Sequence, residues 1–552
     1  MTLVERLAGA DAGQEIHLPL DLIVTDDWTT PSLVHELDRL NVHHSAVPVV
    51  LVHDHTLTPD AYALPSQRAE RDKAEHLRTV RKAFAQRFNA DVITGEGIQH
   101  HVLFEQGRVT CDMRVLGNDS HTPTLGAYGA LAFAGQPATV ARAIQTGALT
   151  LTVPHTFTIE LDGTLPHGVT VRDAVLTMLG RLRDPDGIPR RTIGRALQFQ
   201  GFGLEPLAPS ERAILANMAP EAVAATSVFT GDSDALPPDL TLDLSSVLPV
   251  AARSPSPRDA VPLDATQPAT RVHRVFVGTC AGGTEEEIRA FATHLETRLP
   301  AGTQVACTTV VAPATRSVAL RLEADGTLDA LRERGVQIEP PGCSACFGFG
   351  LPRLEDGEVA VTTGNRNARG RMGSAQADIH LTSGASAGAI AATGQIHVAP
   401  RTSHCEAEGS VTITWPERGN VIRVHGVVTT DDLTPSSVPG VGSSNDTNPD
   451  VLRRLLFHHV DPSTETRDLT GCILVADHAF GMGSNRASSI AALVASGITG
   501  IVARSIAPVY ATGARDAGLA VHLTEDDRVF DAARPNATFD LTGGRLHITH
   551  VR

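Results

Sequence analysis

Lysine is almost missing from this chain of 552 residues: only Lys73 and Lys82 occur, and all other side-chain positive charge is arginine or histidine. Neither lysine lies in a glycine-rich phosphate loop and no GxxxxGK[ST] pattern exists, which argues against P-loop and pyridoxal-phosphate chemistry. Arginine, with its planar fork, favours two-point contacts to carboxylates instead. A surplus of positive charge is lacking too. The formal net charge is −16, and general nucleic-acid binding needs an extended basic surface. No run approaches the ~20 apolar residues of a membrane span, and the N-terminal MTLVERLAGADAG has no charged-then-apolar leader pattern. The expectation is a cytoplasmic protein with neither membrane nor nucleic acid as partner. In that compartment cysteines serve more often as metal ligands or catalysts than as disulfides.

What is present is an ordinary globular composition, 42% hydrophobic and 20% charged, on a chain long enough for three or four domains. The pattern is α/β. Residues 47–52 are a strand-length apolar run ending in His53-Asp54-His55, and residues 114–116 lead into Gly117-Asn118-Asp119-Ser120-His121. Residues 156–161 alternate as a strand does, and 275–277 run through a glycine turn into a helix near Glu285. Leu77, Val80, Phe84 and Phe88 recur at helical spacing, as do Ile288, Phe291, Ala292 and Leu295. Strand–loop–helix units place functional residues on loops at strand carboxyl ends. Residues 237–262, rich in Pro, Ser and Asp, read as a connection between subdomains, and 384–405 as a boundary. The expected division is a multidomain region over 1–395, a linker over 396–410 and a separate α/β module over 411–552.

Seven cysteines occur. Cys307 and Cys472 lie in strand-like apolar runs and read as small core residues; Cys111 and Cys405 have no partner pattern. Cys280, Cys343 and Cys346 each lie in a loop beside glycine, where thiolates can converge. From spacing alone they suit either zinc or an iron–sulfur group. Three clusters, Asp54-His55, His100-His101 and Asp119-Ser120-His121, place imidazoles after apolar segments and could move protons. Chance pairing of 24 histidines with acids is the bland alternative for any one of them. Arg366 and Arg371, within a glycine-flanked loop, suit an anion. Ser484, beside Gly483 and near Arg486, sits where a helix begins and reads as either an N-cap or a serine poised to act as a base.

Taken in order, GIQHH (97–101), GNDSHTPTLGAYGALAF (117–133), ANMAPEA (216–222), PGCSACFG (341–348), GNRNARGRMGSAQADIHL (364–381), TTDDLTP (429–435) and FGMGSNRAS (480–488) resemble the signature blocks of the aconitase superfamily. The resemblance spans nearly the whole chain and implies a cluster-bearing large part fused to a small swivelling part. It implies that Cys280, Cys343 and Cys346 hold a [4Fe–4S] cluster with one iron open, and that Asn365 lies near it. It pairs Asp54 with His55, Asp119 with His100, and Glu221 with His121, and makes Ser484 the base. Arg366, Arg371 and Arg486, with Ser120, Asn217 and Asp26, fall on the substrate side. The implied reaction is reversible dehydration and rehydration of a hydroxy di- or tricarboxylate.

Several positions depart from that pattern. The family's Gly-Ser-Cys-Thr-Asn-Ser is Gly278-Thr279-Cys280-Ala281-Gly282-Gly283, its Ser-Ser-Arg-Glu is Ser484-Asn485-Arg486-Ala487, and Asp26-Asp27 replaces Gln-Asp. No arginine occurs over 436–448, where aconitases place another substrate-binding one. The expectation is therefore a small hydroxy-carboxylate substrate of the isopropylmalate type. A citrate analogue is the second reading, and an RNA-binding or degenerate zinc protein the least favoured. The oligomeric state is not legible in the sequence.

Overall fold

The structure is a computed structural model that describes residues 1–56, 68–185, 187–231, 235–300, 302–347, 353–399, 411–435, 437–438, 441–443, 447–483, 487–541 and 545–550. Its first sheet has the strand order Asp91–Thr94, Val49–His53, Leu22–Asp26, Arg114–Gly117, Leu131–Ala134, parallel throughout. A parallel sheet is covered on both faces, so its strands read as continuous apolar runs rather than alternating ones. Val49–His53 is such a run, with four of its five residues buried. All five strands end at the same edge, which gathers the loops that follow them.

A second parallel sheet runs Thr226–Phe229, Ala196–Gln200, Thr156–Asp162, Leu240–Asp243. The third has seven strands, in the order Ala260–Pro262, Val250–Ala252, Asp378–Leu381, Val359–Thr362, Arg274–Val277, Thr308–Val311, Gln337–Ile338. It is parallel except where the Val250–Ala252 hairpin closes one edge. The C-terminal module has its own sheet, Thr412–Thr414, Val421–His425, Ile473–Ala476, Gly500–Ala503, Ala520–Leu523, with only the first pair antiparallel. Among the described residues no helix is long and apolar enough to cross a membrane.

Helix Glu285–Glu296 shows how sequence makes the layers. The Thr284 side chain accepts from the Glu287 N–H, and three glutamates occupy the first turn, where the helix dipole favours negative charge. Ile288, Phe291, Ala292 and Leu295 are buried at roughly 2 kcal/mol for each large side chain. They face helix Gly384–Thr393, whose Gly388 lets the two backbones approach closely. A Cβ there would lie 2.3 Å from the Phe291 carbonyl oxygen.

Two connections differ from their sequence reading. The proline-rich stretch 237–262 does carry the chain from the second sheet to the third, but it supplies strands to both and buries Arg253, Ser256, Arg258 and Asp259. Edge strands tolerate proline, so a high proline content did not mean an open tether. Residues 384–393, read as part of a boundary, form a packed helix, and Gln395–His397 pairs with Ala269–Arg271. The N-terminal layers thus extend into the first residues assigned to the linker; 400–410 lie outside the described residues. Cys472 is buried in the module's core, whereas Cys307 is half-buried just before a strand shorter than 303–311.

A buried polar cluster ties these layers together. Arg172 donates to the carbonyls of Gly364 and Thr382, and Glu287 accepts from the Gly384 N–H at 2.5 Å. Burial pushes the Glu287 carboxyl up to about 7 and that of Asp173 up to about 6. A raised carboxyl holds its proton in the folded protein after the unfolded chain has lost it, so its contribution to stability falls as pH rises from the ordinary glutamate value to about 7. Glu287→Gln is therefore expected to remove up to about 1.4 kcal/mol per pH unit of that decline. The check is the difference between urea midpoints of parent and variant across that range; an identical pH dependence refutes it.

Candidate active site

Asp26, His55 and Asp119 meet at the carboxyl edge of the first sheet, Asp26 as the last residue of its strand and the other two on the loops that follow theirs. His55 Nδ1 lies 2.8 Å from Asp54 Oδ1 and 3.9 Å from Asp26 Oδ1, and its Nε2 is 3.5 Å from Asp119 Oδ2. Asp119 Oδ1 is 3.4 Å from His100 Nε2 and 3.5 Å from His121 Nδ1. One carboxylate thus faces three imidazoles. From His121 the chain of contacts continues: Nε2 is 3.2 Å from Glu221 Oε1, and Arg366 Nε is 2.8 Å from the same oxygen. Arg366 Nη2 donates to Ser120 Oγ at 3.2 Å.

Electrostatics sort the charges along this chain. Burial disfavours a charged His55, but the Asp26, Asp54 and Asp119 carboxylates outweigh it and raise the imidazole well above its ordinary value. Burial would likewise raise Asp119, yet hydrogen bonds and charge from His100 and His121 hold it well below the usual range. Arg366 and His121 do the same for Glu221 against its burial. Burial pushes Asp26 up to about 7, with the neighbouring carboxylates adding to it and His55 opposing.

The cysteines converge beside this network. Cys280 and Cys343 share one buried group with Trp28, Leu77, Ile98 and Ala314, and Cys346 packs against it. Strain marks both approaches, since Thr279 (φ 77°) and Ser344 (φ 46°) hold left-handed conformations without being glycine. The Cys343 N–H donates to the Asp54 carbonyl at 2.8 Å, which couples the cysteine turn to the acid–histidine loop. Asn365 Nδ2 reaches Cys280 Sγ at 3.4 Å, and Arg371 Nη2 reaches Cys346 Sγ at 3.5 Å. Burial, then neighbouring negative charge, pushes the Cys280 and Cys343 thiols far up. As bare thiolates these would repel one another in an apolar pocket. A bound metal group would remove that penalty, while the amide and guanidinium N–H groups are already aimed at sulfur. The donor set therefore fits a thiophilic metal group. Asp54, His55 and Cys343 also offer ligand atoms within 4.8 Å of one another.

Most residues singled out in the sequence are brought together, with differences in detail. Asp26 is fully buried and both its oxygens accept from Thr29, so it backs His55 rather than offering a face to substrate. Asn217 is likewise wholly buried. Its Oδ1 faces Cys280 Sγ at 3.5 Å and accepts from Asn365, and its Nδ2 donates to Thr124. Arg371 donates to the Cys346 carbonyl at 2.8 Å. Ser484 and Arg486 lie outside the described residues. The loop leading to them is placed: the Gly481 N–H donates to the Val428 carbonyl at 2.8 Å, and Met482 and Gly483 line one cleft with Ser120, Pro220 and Tyr510.

Two further residues had no role assigned from the sequence. Asp27 accepts from the N–H groups of Asp54, His55 and Thr56 at 2.9–3.1 Å and so fixes that loop; its adjacency to Asp26 was the available signal. His101, paired in sequence with His100, turns away to Tyr128 and to the Cys280 carbonyl at 2.7 Å. Burial lowers it to about 4, so it is neutral and its ring supports the cysteine backbone.

Residues 8–237 and 238–394 match the model of the Aconitase family (aconitate hydratase). The chain is 32% identical over 400 residues to the 3-isopropylmalate dehydratase large subunit 2 of Pyrococcus furiosus, covering 72% of this chain and 98% of that one. It is 33% identical over 400 residues to the large subunit from Thermococcus kodakarensis, with the same coverage. To large subunit 2 of Methanopyrus kandleri it is 34% identical over 398 residues, covering 70% and 94%.

Proposed function

The chain belongs to the aconitase family, and from that premise we propose that it is an iron–sulfur hydro-lyase that isomerises a hydroxy-dicarboxylate of the isopropylmalate type. The observation that carries this reading is the Asp119 carboxylate within 3.5 Å of three imidazoles, next to a pocket of three cysteines. Cys280, Cys343 and Cys346 would hold a [4Fe–4S] cluster, which when bound supplies an iron with an open coordination position, a Lewis acid toward a hydroxyl.

The chain's own residues supply the rest. Arg366 and Arg486 grip substrate carboxylates; Glu221 and Ser120 fix the Arg366 fork. Arg371 is engaged with the Cys346 turn, so its part is to hold that loop and to meet the substrate's outer carboxylate. His100 or His121, each beside Asp119, gives the proton that lets the hydroxyl leave as water. Ser484 takes the proton from the adjacent carbon and returns it on rehydration. His55, kept charged by Asp26, Asp54 and Asp119, steadies negative charge that builds on the substrate.

The large-subunit relatives are nearly exhausted by the alignment, while this chain continues for a further module with its own sheet. We read the chain as both parts in one, with 1–395 as cluster-bearing region, 396–410 as linker and 411–552 as a swivelling domain that closes the cleft. A cytoplasmic setting and the absence of a nucleic-acid partner belong to the same reading, the latter resting on the net charge of −16. The lack of arginine over 436–448 favours a dicarboxylate over a citrate analogue.

A substrate screen tests the proposal. The anaerobic protein is expected to generate an ultraviolet-absorbing conjugated alkene acid from isopropylmalate and little from citrate; the reverse preference would establish the citrate-type alternative. Ser484→Ala is expected to lower kcat by about three powers of ten with the visible spectrum unchanged. Unaltered turnover would remove Ser484 from the reaction.

A further inference from the structure

We propose that Arg258 is a positioning residue that makes seating of the C-terminal module and placement of Glu221 a single event; this rests on the reading of Glu221 as part of the site. Arg258 lies between the hairpin strands Val250–Ala252 and Ala260–Pro262 and is 2% exposed. Its Nη1 donates to the Glu221 carbonyl at 2.7 Å and its Nε to the Gly187 carbonyl at 3.2 Å, while Nη2 faces Met482 Sδ at 3.8 Å. The Gly187 carbonyl immediately precedes Ile188, and the Glu221 carbonyl lies two residues before Val223. Those two side chains leave the N-terminal layers and are buried in the module's own core, with Leu433, Phe480, Met482 and Tyr510. The third contact reaches the loop that leads to Ser484.

One guanidinium therefore holds both plugs that enter the module and touches the loop they meet. Its rigid fork spreads donors over three nitrogens in a plane, whereas an ammonium offers all of its donors from one point. Glu221 is where the arrangement bears on chemistry. Its carboxylate sits 3.2 Å from His121 and 2.8 Å from Arg366, so a backbone shift at residue 221 disturbs a proton carrier and a carboxylate-binding group together. A misplacement of about 1 Å can cost about 100-fold in rate. With the module withdrawn, Ile188 and Val223 lose their cover and the Arg258 fork loses its contact with Met482, which frees the 221–223 turn. The site is complete only when the module is seated.

The test compares Arg258→Met and Arg258→Lys, each alone and with Glu221→Gln. Arg258→Met is expected to lower kcat/KM by roughly 30-fold or more, with Lys recovering part of it. In the Glu221→Gln background the same change is expected to cost less than about 3-fold, because residues acting through one another are not additive. Amide hydrogen exchange, which needs no substrate, is expected to quicken at Val223 and Gly481 together. Losses that multiply independently, or exchange that rises in one segment alone, would overturn the proposal. If Arg258→Met does not fold, the same comparison is read on Arg258→Lys. Because exchange is followed without turnover, failure of this coupling is distinguishable from failure of the hydro-lyase reading.

Discussion

Cys346→Ser protein is expected to purify without the brown colour expected of the parent and with kcat/KM at least about 1,000-fold lower, equivalent to about 4 kcal/mol of transition-state stabilisation. A serine oxygen is a poor ligand where soft sulfur is wanted, and a cluster held by two thiolates has lost a third of its protein anchorage. Of the three cysteines Cys346 suits this experiment best, because it is half-buried whereas Cys280 and Cys343 are buried. The substitution trades sulfur for oxygen at a partly open position, so a change in the core does not confuse the result. Arg371 would keep its bond to the residue 346 carbonyl, and the turn would persist. Absorbance at roughly 400 nm, from sulfur-to-iron charge transfer, and bound iron are read alongside the melting midpoint. A variant that stays brown and active would remove Cys346 from the cluster.

Asp119→Asn is expected to leave the colour intact and still lower kcat by about two to four powers of ten, the usual span of a general acid–base contribution. The amide keeps the shape but not the charge that His55, His100 and His121 share at 3.4–3.5 Å. His55 then loses a stabiliser of its protonated form, so the limb of the pH–rate profile that reports charged His55 is expected to move to lower pH. The sign follows from the parent: the carboxylate raises His55, and removing it lets that imidazole fall. Stability follows the same linkage. His55 contributes most below its ordinary value and loses that contribution as pH rises through its higher folded value, so the variant's stability is expected to fall less with rising pH than the parent's, the decline ending at a lower pH. An unchanged profile with full activity would show that Asp119 is a bystander.

Much of this site was legible before the structure because its parts lie on loops at strand ends. An apolar run such as 49–52 fixes a buried parallel strand, and the sheet then gathers whatever follows it. That is why Asp54–His55, His100 and Asp119–His121 meet. The second link of His121, to Glu221 a hundred positions away, came only from the motif order, since no local pattern predicts a contact of that separation. Asp119 was paired with His100 alone; its role as a common partner of three rings depends on loop geometry that residue types do not encode. Asp26 was placed on the substrate side, whereas the Thr29 backbone and hydroxyl claim both its oxygens. His101 stood in one cluster with His100 and was given no role of its own; successive residues on a helix point in different directions, and it supports the cysteine turn. The proline-rich stretch does join two sheets as read, but the strands it supplies were not legible: composition reports how a segment resists regular structure, not what packs against it.

The central claim is that three cysteines hold a cluster with one iron left for the substrate, beside a chain of acid–histidine contacts. Mössbauer spectra of anaerobically prepared, iron-57-loaded protein, with and without the hydroxy-dicarboxylate it turns over, test it most directly. The expected result is about four irons per chain, one of which changes its signal when the acid is added while the others do not. Iron absent from active protein, or a full set of irons indifferent to a substrate that is being consumed, would contradict it.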